Sequence, residues 1–137
     1  MAGTGLSPEF VEACLIRILP IGTSLAALGS SPLAQLDEWS QTPTLVRATD
    51  LQRALKRAIE RLGTGEWHDA AERLFGMSPG EHGLPLMRRR SAAAQELDLK
   101  VGPFRRYKEK SLVREVAWEL AAILYEQLIA LTEIPQV

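Results

Sequence analysis

The side chains with the clearest capacity for chemistry are the arginines and lysines between residues 88 and 110. This segment holds eight Lys or Arg against three acids, a local balance of +5. Residues 1–87 hold seven against ten and residues 111–137 hold one against four, so each flank has a balance of -3. Guanidinium and ammonium groups bind phosphates and carboxylates, so the pattern indicates a surface for a polyanion. A basic, solvated surface without a ligand is the alternative.

Groups that could catalyse a reaction or hold a metal do not form a recognisable pattern. The only histidines, His68 and His82, lie in separate segments, and no cysteine or carboxylate spacing completes a zinc site. Glu66, His68 and Asp69 are close in sequence but face different sides of a helix. Neither a nucleophile elbow nor a glycine-rich nucleotide motif occurs. We therefore expect a protein that is not an enzyme, that uses no cofactor or metal, and that binds no small-molecule ligand.

The basic residues fall on two short predicted helices that meet at a tight turn. Arg88–Arg90 open the first helix, and Ala92–Ala94 follow with small side chains that let another helix approach closely. Pro103 would disrupt a helix interior but suits a first helical turn. A second helix should therefore begin near Pro103, with Gly102 or Lys100 near its cap.

The small and apolar residues around this turn resemble those of the helix-turn-helix superfamily. Ala94, Leu97, Leu99 and Phe104 stand where these domains carry a small residue, two apolar residues and an apolar residue of the recognition helix. Asp98 stands where the superfamily usually has the turn glycine. An aspartate can adopt the required left-handed conformation at modest cost.

A wider pattern resembles a small helical module of actinobacterial regulatory or phage-defence proteins. The residues that carry this resemblance are Gly83–Leu86, Arg88–Arg90, Ala93–Ala94 and Phe104–Arg106. It covers roughly residues 50–125, and such modules often precede signalling or effector domains.

The helix-turn-helix resemblance implies a DNA-binding or regulatory module whose second helix enters the major groove. Arg105 and Arg106 directly follow the apolar anchor Phe104, which should turn them towards solvent and a duplex. The residues expected to contact DNA are Arg88, Arg89, Arg90, Lys100, Arg105, Arg106 and Lys108. In the alternative, the chain is an adaptor whose basic residues pair with acidic groups of a signalling or defence effector.

A strongly apolar helix is predicted over residues 112–131. Valine and leucine recur along it at spacings of three and four, at Val113, Val116, Leu120, Leu124, Leu128 and Leu131. A helix that is apolar on several faces is buried by its neighbours or by a partner. We expect a homodimer or an effector contact through Leu124, Leu128 and Leu131, with packing in the bundle's own core as the alternative.

The remaining signals predict one all-α domain over residues 1–137, a small bundle of five to seven helices that contains the helix-turn-helix-like unit. Residues 1–45 would form N-terminal helices, and residues 50–125 the helix-turn-helix-like core. Cys14, the single cysteine, has apolar neighbours at helical spacing and fits a core position in a reducing compartment. No signal-peptide pattern and no long uncharged apolar run occur, so we expect a cytoplasmic protein without membrane contact. The expected core includes Leu55, Ile59, Leu74, Leu97, Phe104, Val116 and Leu120.

Overall fold

The computed structural model describes residues 6–39, 42–78, 81 and 83–132. The predicted all-α fold is confirmed, because the regular structure in these residues is helical and includes no strand. The α-helices are α1 (Pro8–Ile18), α2 (Leu25–Gly29), α3 (Thr44–Glu60), α4 (Glu66–Leu74), α5 (Leu86–Glu96), α6 (Val101–Tyr107) and α7 (Glu109–Thr132). Two 3-10 turns, at Pro32–Gln35 and Asp37–Trp39, link α2 to α3.

Helix α7 is the central element of the bundle. Helices α1 and α3 pack along it, α6 packs against its beginning, and α4 pairs with α5. The expected core residues are buried except Leu97, which is half-buried and packs against the core. Cys14 is also buried, as predicted, and burial raises the pKa of its thiol. The core therefore forms around α7, and the basic segment lies on the elements that lead into it.

The start of α1 follows from its first residues. The Ser7 hydroxyl accepts a hydrogen bond from the Phe10 amide at 3.1 Å, and Pro8 occupies the first turn, where its missing N–H costs nothing. Helix α7 begins at Glu109, three residues before the predicted start at residue 112. Only Lys108 separates α7 from α6, so α6 lies at the N-terminal end of the central helix.

The connection from α5 to α6 is a Schellman turn, a left-handed helix end closed by two backbone hydrogen bonds. Asp98 has a φ of 56° and is the only residue other than glycine with a positive φ in the described chain. The Leu99 amide donates to the Ala94 carbonyl at 2.9 Å, and the Asp98 amide donates to the Gln95 carbonyl at 3.0 Å. An aspartate thus takes the left-handed conformation that glycine usually supplies, and α6 then starts after Lys100.

Candidate nucleic-acid interface

The seven residues predicted to contact DNA fall into three environments. Arg89 is buried, Arg90 is half-buried in an ion pair, and the other five are exposed. The exposed residues are Arg88, Lys100, Arg105, Arg106 and Lys108. The basic segment is therefore partly a structural support and partly a surface.

The prediction that Arg89 contacts DNA is wrong, because its side chain is only 2% exposed. Its guanidinium donates to the backbone carbonyls of Leu19 at 2.6 Å, Leu74 at 2.7 Å and Leu84 at 3.0 Å. Leu19 and Leu74 lie at the C-terminal ends of α1 and α4, where carbonyls lack helical partners and the helix dipole favours a cation. Burial, and to a smaller degree the charge of Arg90, lowers the pKa of Arg89.

Gly76 makes room for this buried arginine. Its φ of 66° is a left-handed conformation, and a Cβ added there would lie 3.2 Å from both Cδ of Arg89 and the carbonyl oxygen of Glu81. The Thr23 hydroxyl donates to the neighbouring Phe75 carbonyl at 2.8 Å. Arg89 and Thr23 thus satisfy carbonyls at the end of α4 that would otherwise be buried without a hydrogen bond.

Arg90 is engaged by a carboxylate of the next helix. Its Nε and Nη2 donate to the two carboxylate oxygens of Glu109 at 2.8 and 3.0 Å, and both side chains are 14% exposed. This two-bond geometry is the strong form of an arginine–carboxylate contact. The pair ties α5 to the beginning of α7, so Arg90 adds no free charge to the surface.

The remaining basic surface keeps the balance of +5 that the sequence gives, now as six exposed cations against one acid. Arg90 neutralises Glu109, and Arg73 of α4 donates to Glu96 at 3.1 Å, which leaves Asp98 as the one acid of residues 88–110 without an ion-pair partner among the described residues. Within residues 88–110, six exposed cations have no ion-pair partner among the described residues: Arg88, Lys100, Arg105, Arg106, Lys108 and Lys110.

The exposed face of α6 combines two arginines with an open stretch of backbone. Gly102, Arg105 and Arg106 stand at helical spacings of three and four and line one shallow concavity. A Cβ added at Gly102 would have only Nη2 of Arg106 within reach, at 4.0 Å. The Arg106 guanidinium lies 5.6 Å from the centroid of the exposed Tyr107 ring. An anionic group could therefore approach the α6 backbone between two guanidinium groups.

The predicted partner contact through the leucines of α7 is wrong where the structure describes it. Leu124 and Leu128 are 0% and 2% exposed, because the other helices of the bundle cover their face of α7. The side chain of Leu131 lies outside the described residues. Their packing in the bundle's own core is the alternative that the sequence left open.

The solvent-facing side of α7 carries aromatic residues that the sequence reasoning missed. Trp118 is 43% exposed and Tyr125 is 50% exposed, and both line a groove with Leu6 and Pro8. Their exposure could have been predicted from the sequence, since positions 118, 122 and 125 share one helical face opposite the buried leucines.

Two of the groups considered for catalysis, His68 and Asp69, are in contact, contrary to the expectation that they face different sides of the helix, and Nε2 of His68 lies 4.0 Å from the Glu72 carboxylate. Nδ1 of His68 lies 2.9 Å from the Asp69 carboxylate, and His82 is outside the described residues. In the described ranges, no three His, Cys, Asp or Glu side chains form a group that could hold a metal ion. Among the helices that the structure describes, none has the length and apolar character needed to cross a membrane.

Comparisons with protein-family models, with curated proteins and with solved structures found no match to this chain, so its function is argued from the geometry above.

Proposed function

We propose that this chain is a non-enzymatic regulatory module of helix-turn-helix type that binds duplex DNA through the exposed surface of α6. The observation that carries the proposal is the pair Arg105 and Arg106, which are exposed beside the open backbone of Gly102 and form no ion pair with a described residue. Two guanidinium groups on a short helix after a tight turn suit the major groove, where arginine can bond guanine through two hydrogen bonds.

The other exposed cations would position the module on the sugar–phosphate backbone. Arg88 precedes the turn along the chain, and Lys100 and Lys108 flank α6. Contacts of this kind fix the orientation of a protein on DNA without reading its sequence. The corrected set of DNA contacts is therefore Arg88, Lys100, Arg105, Arg106 and Lys108.

The contacts that fix α6 in the bundle support its proposed role in DNA binding. The Schellman turn at Asp98 fixes its start, and the buried ring of Phe104 anchors it to the core. The bend at Lys108 joins it directly to α7, which Arg90 and Glu109 tie to α5. Because α6 is already held in place by the bundle, its backbone loses little conformational entropy when its side chains bind DNA, which favours affinity. We place this function in the cytoplasm, where Cys14 would stay reduced.

A second function, that of a protein-binding adaptor for an effector, is favoured by a separate observation. The groove that contains Trp118 and Tyr125 exposes two large aromatic side chains, a residue class enriched at protein interfaces. Under this alternative the basic surface of α6 would pair with acidic groups of the partner and would not bind DNA.

Titration of labelled random-sequence duplex DNA tests the proposal. We expect wild-type binding to weaken with salt at a logarithmic slope of about -3 to -5, the value for about three to five phosphate contacts. The double variant Arg105→Ala/Arg106→Ala should bind at least about tenfold more weakly in low salt, with a slope reduced by about 2.

A matched control is Arg53→Ala/Arg57→Ala, which removes two exposed arginines from α3 and makes the same change in net charge. It should retain most of the wild-type affinity. A wild type that does not bind in low salt would end the DNA proposal and leave the adaptor. Equal losses in the two double variants would show that only net charge matters and that α6 is not the binding surface.

A further inference from the structure

A small pocket opens where α1, α5, α6 and α7 meet, and it is separate from the concavity on α6. Buried Leu19 and Val113 line it together with Leu86 and the half-exposed Ile16. Its volume is about 220 Å³. Most of the lining is apolar, which is typical of sites for small molecules with an apolar body.

The charged side chains at this pocket leave an excess of positive charge. Glu109 is the only acid among the lining residues, and it is already bound by Arg90 through two hydrogen bonds. Arg105 and Lys110 also line the pocket, and neither has an ion-pair partner in the described part of the chain. An apolar pocket with two unpaired cations is complementary to a molecule that has an apolar body and an anionic head.

We propose that this pocket binds a small carboxylate with a short acyl chain or a single ring. The volume is below the range of about 300–1,000 Å³ that is usual for sites of drug-sized ligands, which limits the apolar body to that size. The apolar body would lie against Leu19, Leu86 and Val113. The carboxylate would be held by Arg105 and Lys110, since charge-assisted hydrogen bonds to a carboxylate are strong.

Arg105 couples this pocket to the surface of α6, because it lines both the pocket and the concavity beside Gly102. A carboxylate held by Arg105 in the pocket would neutralise its charge and turn its guanidinium towards the pocket, which would weaken its contact with a phosphate or base outside. A bound carboxylate would therefore compete with DNA for Arg105. This coupling rests on the proposed DNA binding, whereas the pocket itself does not.

Octanoate is a suitable probe, and octylammonium has the same chain with the opposite charge. We expect octanoate to shift the backbone amide resonances of Ile16, Leu86 and Val113 in a saturable way, and octylammonium to leave them unchanged. Ile16→Asp places a carboxylate at the wall of the pocket and should weaken octanoate binding at least about tenfold by like-charge repulsion. Ile16 is 51% exposed, so the substitution should leave the fold intact.

Ile21→Asp is the matched control, since Ile21 is 73% exposed and does not line the pocket. It should bind octanoate like the wild type. The site would be overturned by an absence of saturation at about 10 mM octanoate, a concentration that fills most of even a millimolar site. Equal binding of octylammonium, shifts centred elsewhere, or equal effects of the two aspartates would overturn it as well.

The coupling is tested by repeating the DNA titration with saturating octanoate, against sodium chloride at the same ionic strength. We expect octanoate to weaken DNA binding several-fold in the wild type and to have no effect in Ile16→Asp. Unchanged DNA affinity in the wild type would overturn the coupling. A wild type that does not bind DNA would overturn both the coupling and the proposed function, while the octanoate titration alone would still decide the site.

Discussion

Two runs of arginine, Arg88–Arg90 in α5 and Arg105–Arg106 in α6, meet opposite environments in this bundle. In α5 the middle arginine is buried against three carbonyls and the third is paired with a carboxylate. In α6 both arginines are exposed and form no ion pair with a described residue. The difference lies in what the neighbouring elements supply, because carbonyls at the ends of α1 and α4 converge on Arg89, whereas no described residue accepts a hydrogen bond from the side chain of Arg105 or Arg106. Identical side chains therefore serve structure at one site and leave charge available at the other.

Helix geometry explains which arginine takes which role. Successive residues on an α-helix differ by about 100°, so three in a row cannot share a face. Arg89 stands four residues before the buried Ala93 and therefore lies on the core side, whereas Arg88 faces solvent. In α6 the anchor is Phe104, and the next two residues turn outwards from it.

The largest effect on stability is expected at Arg89. Arg89→Met preserves much of the apolar stem but leaves the carbonyls of Leu19 and Leu74 without their donor in the interior. We expect a loss of about 3–5 kcal/mol in the free energy of unfolding, measured by urea denaturation followed by circular dichroism. Arg88→Met, on the adjacent exposed position, should change this free energy by less than about 0.5 kcal/mol. Similar effects of the two substitutions would show that Arg89 contributes no more to stability than the exposed Arg88.

A smaller effect is expected for the ion pair between Arg90 and Glu109. Because both side chains are only 14% exposed and share two hydrogen bonds, the pair should contribute more than an open surface pair. In a double-mutant cycle of Arg90→Gln and Glu109→Gln, we expect a coupling free energy of about 1–2 kcal/mol. A coupling near zero would show that the pair does not hold α5 to α7, and that α6 is positioned by its turn and by Phe104.

The sequence was informative about the elements and about the left-handed turn, because those depend on local signals. Ser7 and Pro8 mark the start of α1, and Asp98 occupies the position where the turn requires a left-handed residue. The burial of Arg89 depends on contacts with residues far away in the chain, such as Leu19, and no local sequence pattern indicates those contacts. Arg89 shares a helical face with Ala93, which is consistent with an inward position. Arginine is rarely buried without hydrogen-bond partners, however, and those partners are known only once the fold is known.

What covers the α7 leucines, and the existence of the pocket, could not be predicted from the sequence for a related reason. The spacing of Leu124 and Leu128 showed that both are apolar positions of one helix, but it could not say whether a neighbouring helix or a partner covers them. The pocket draws its lining from α1, α5, α6 and α7, from Ile16 to Val113, so it exists only once these helices converge. Such features depend on the arrangement of the helices, which the helical periodicity of each segment leaves undetermined.

The smallest effect is expected at the exposed arginines, and it decides how the DNA experiment is interpreted. Arg88→Ala and Arg105→Ala should each change the free energy of unfolding by less than about 0.5 kcal/mol, because solvated charges contribute little to stability, and Arg106→Ala should change it by less than about 1 kcal/mol. Arg106 is the most stringent case, since its guanidinium lies over the Tyr107 ring and such a contact at an exposed site contributes about 0.5–1 kcal/mol at most. Urea denaturation of the three single variants and of Arg105→Ala/Arg106→Ala measures these values. A loss above about 1 kcal/mol for Arg106→Ala would show that Arg106 stabilises the fold, as Arg89 does in α5, and would contradict the difference between the two helices. If instead the double variant keeps wild-type stability and loses DNA binding, the loss belongs to the charged surface and not to a damaged fold.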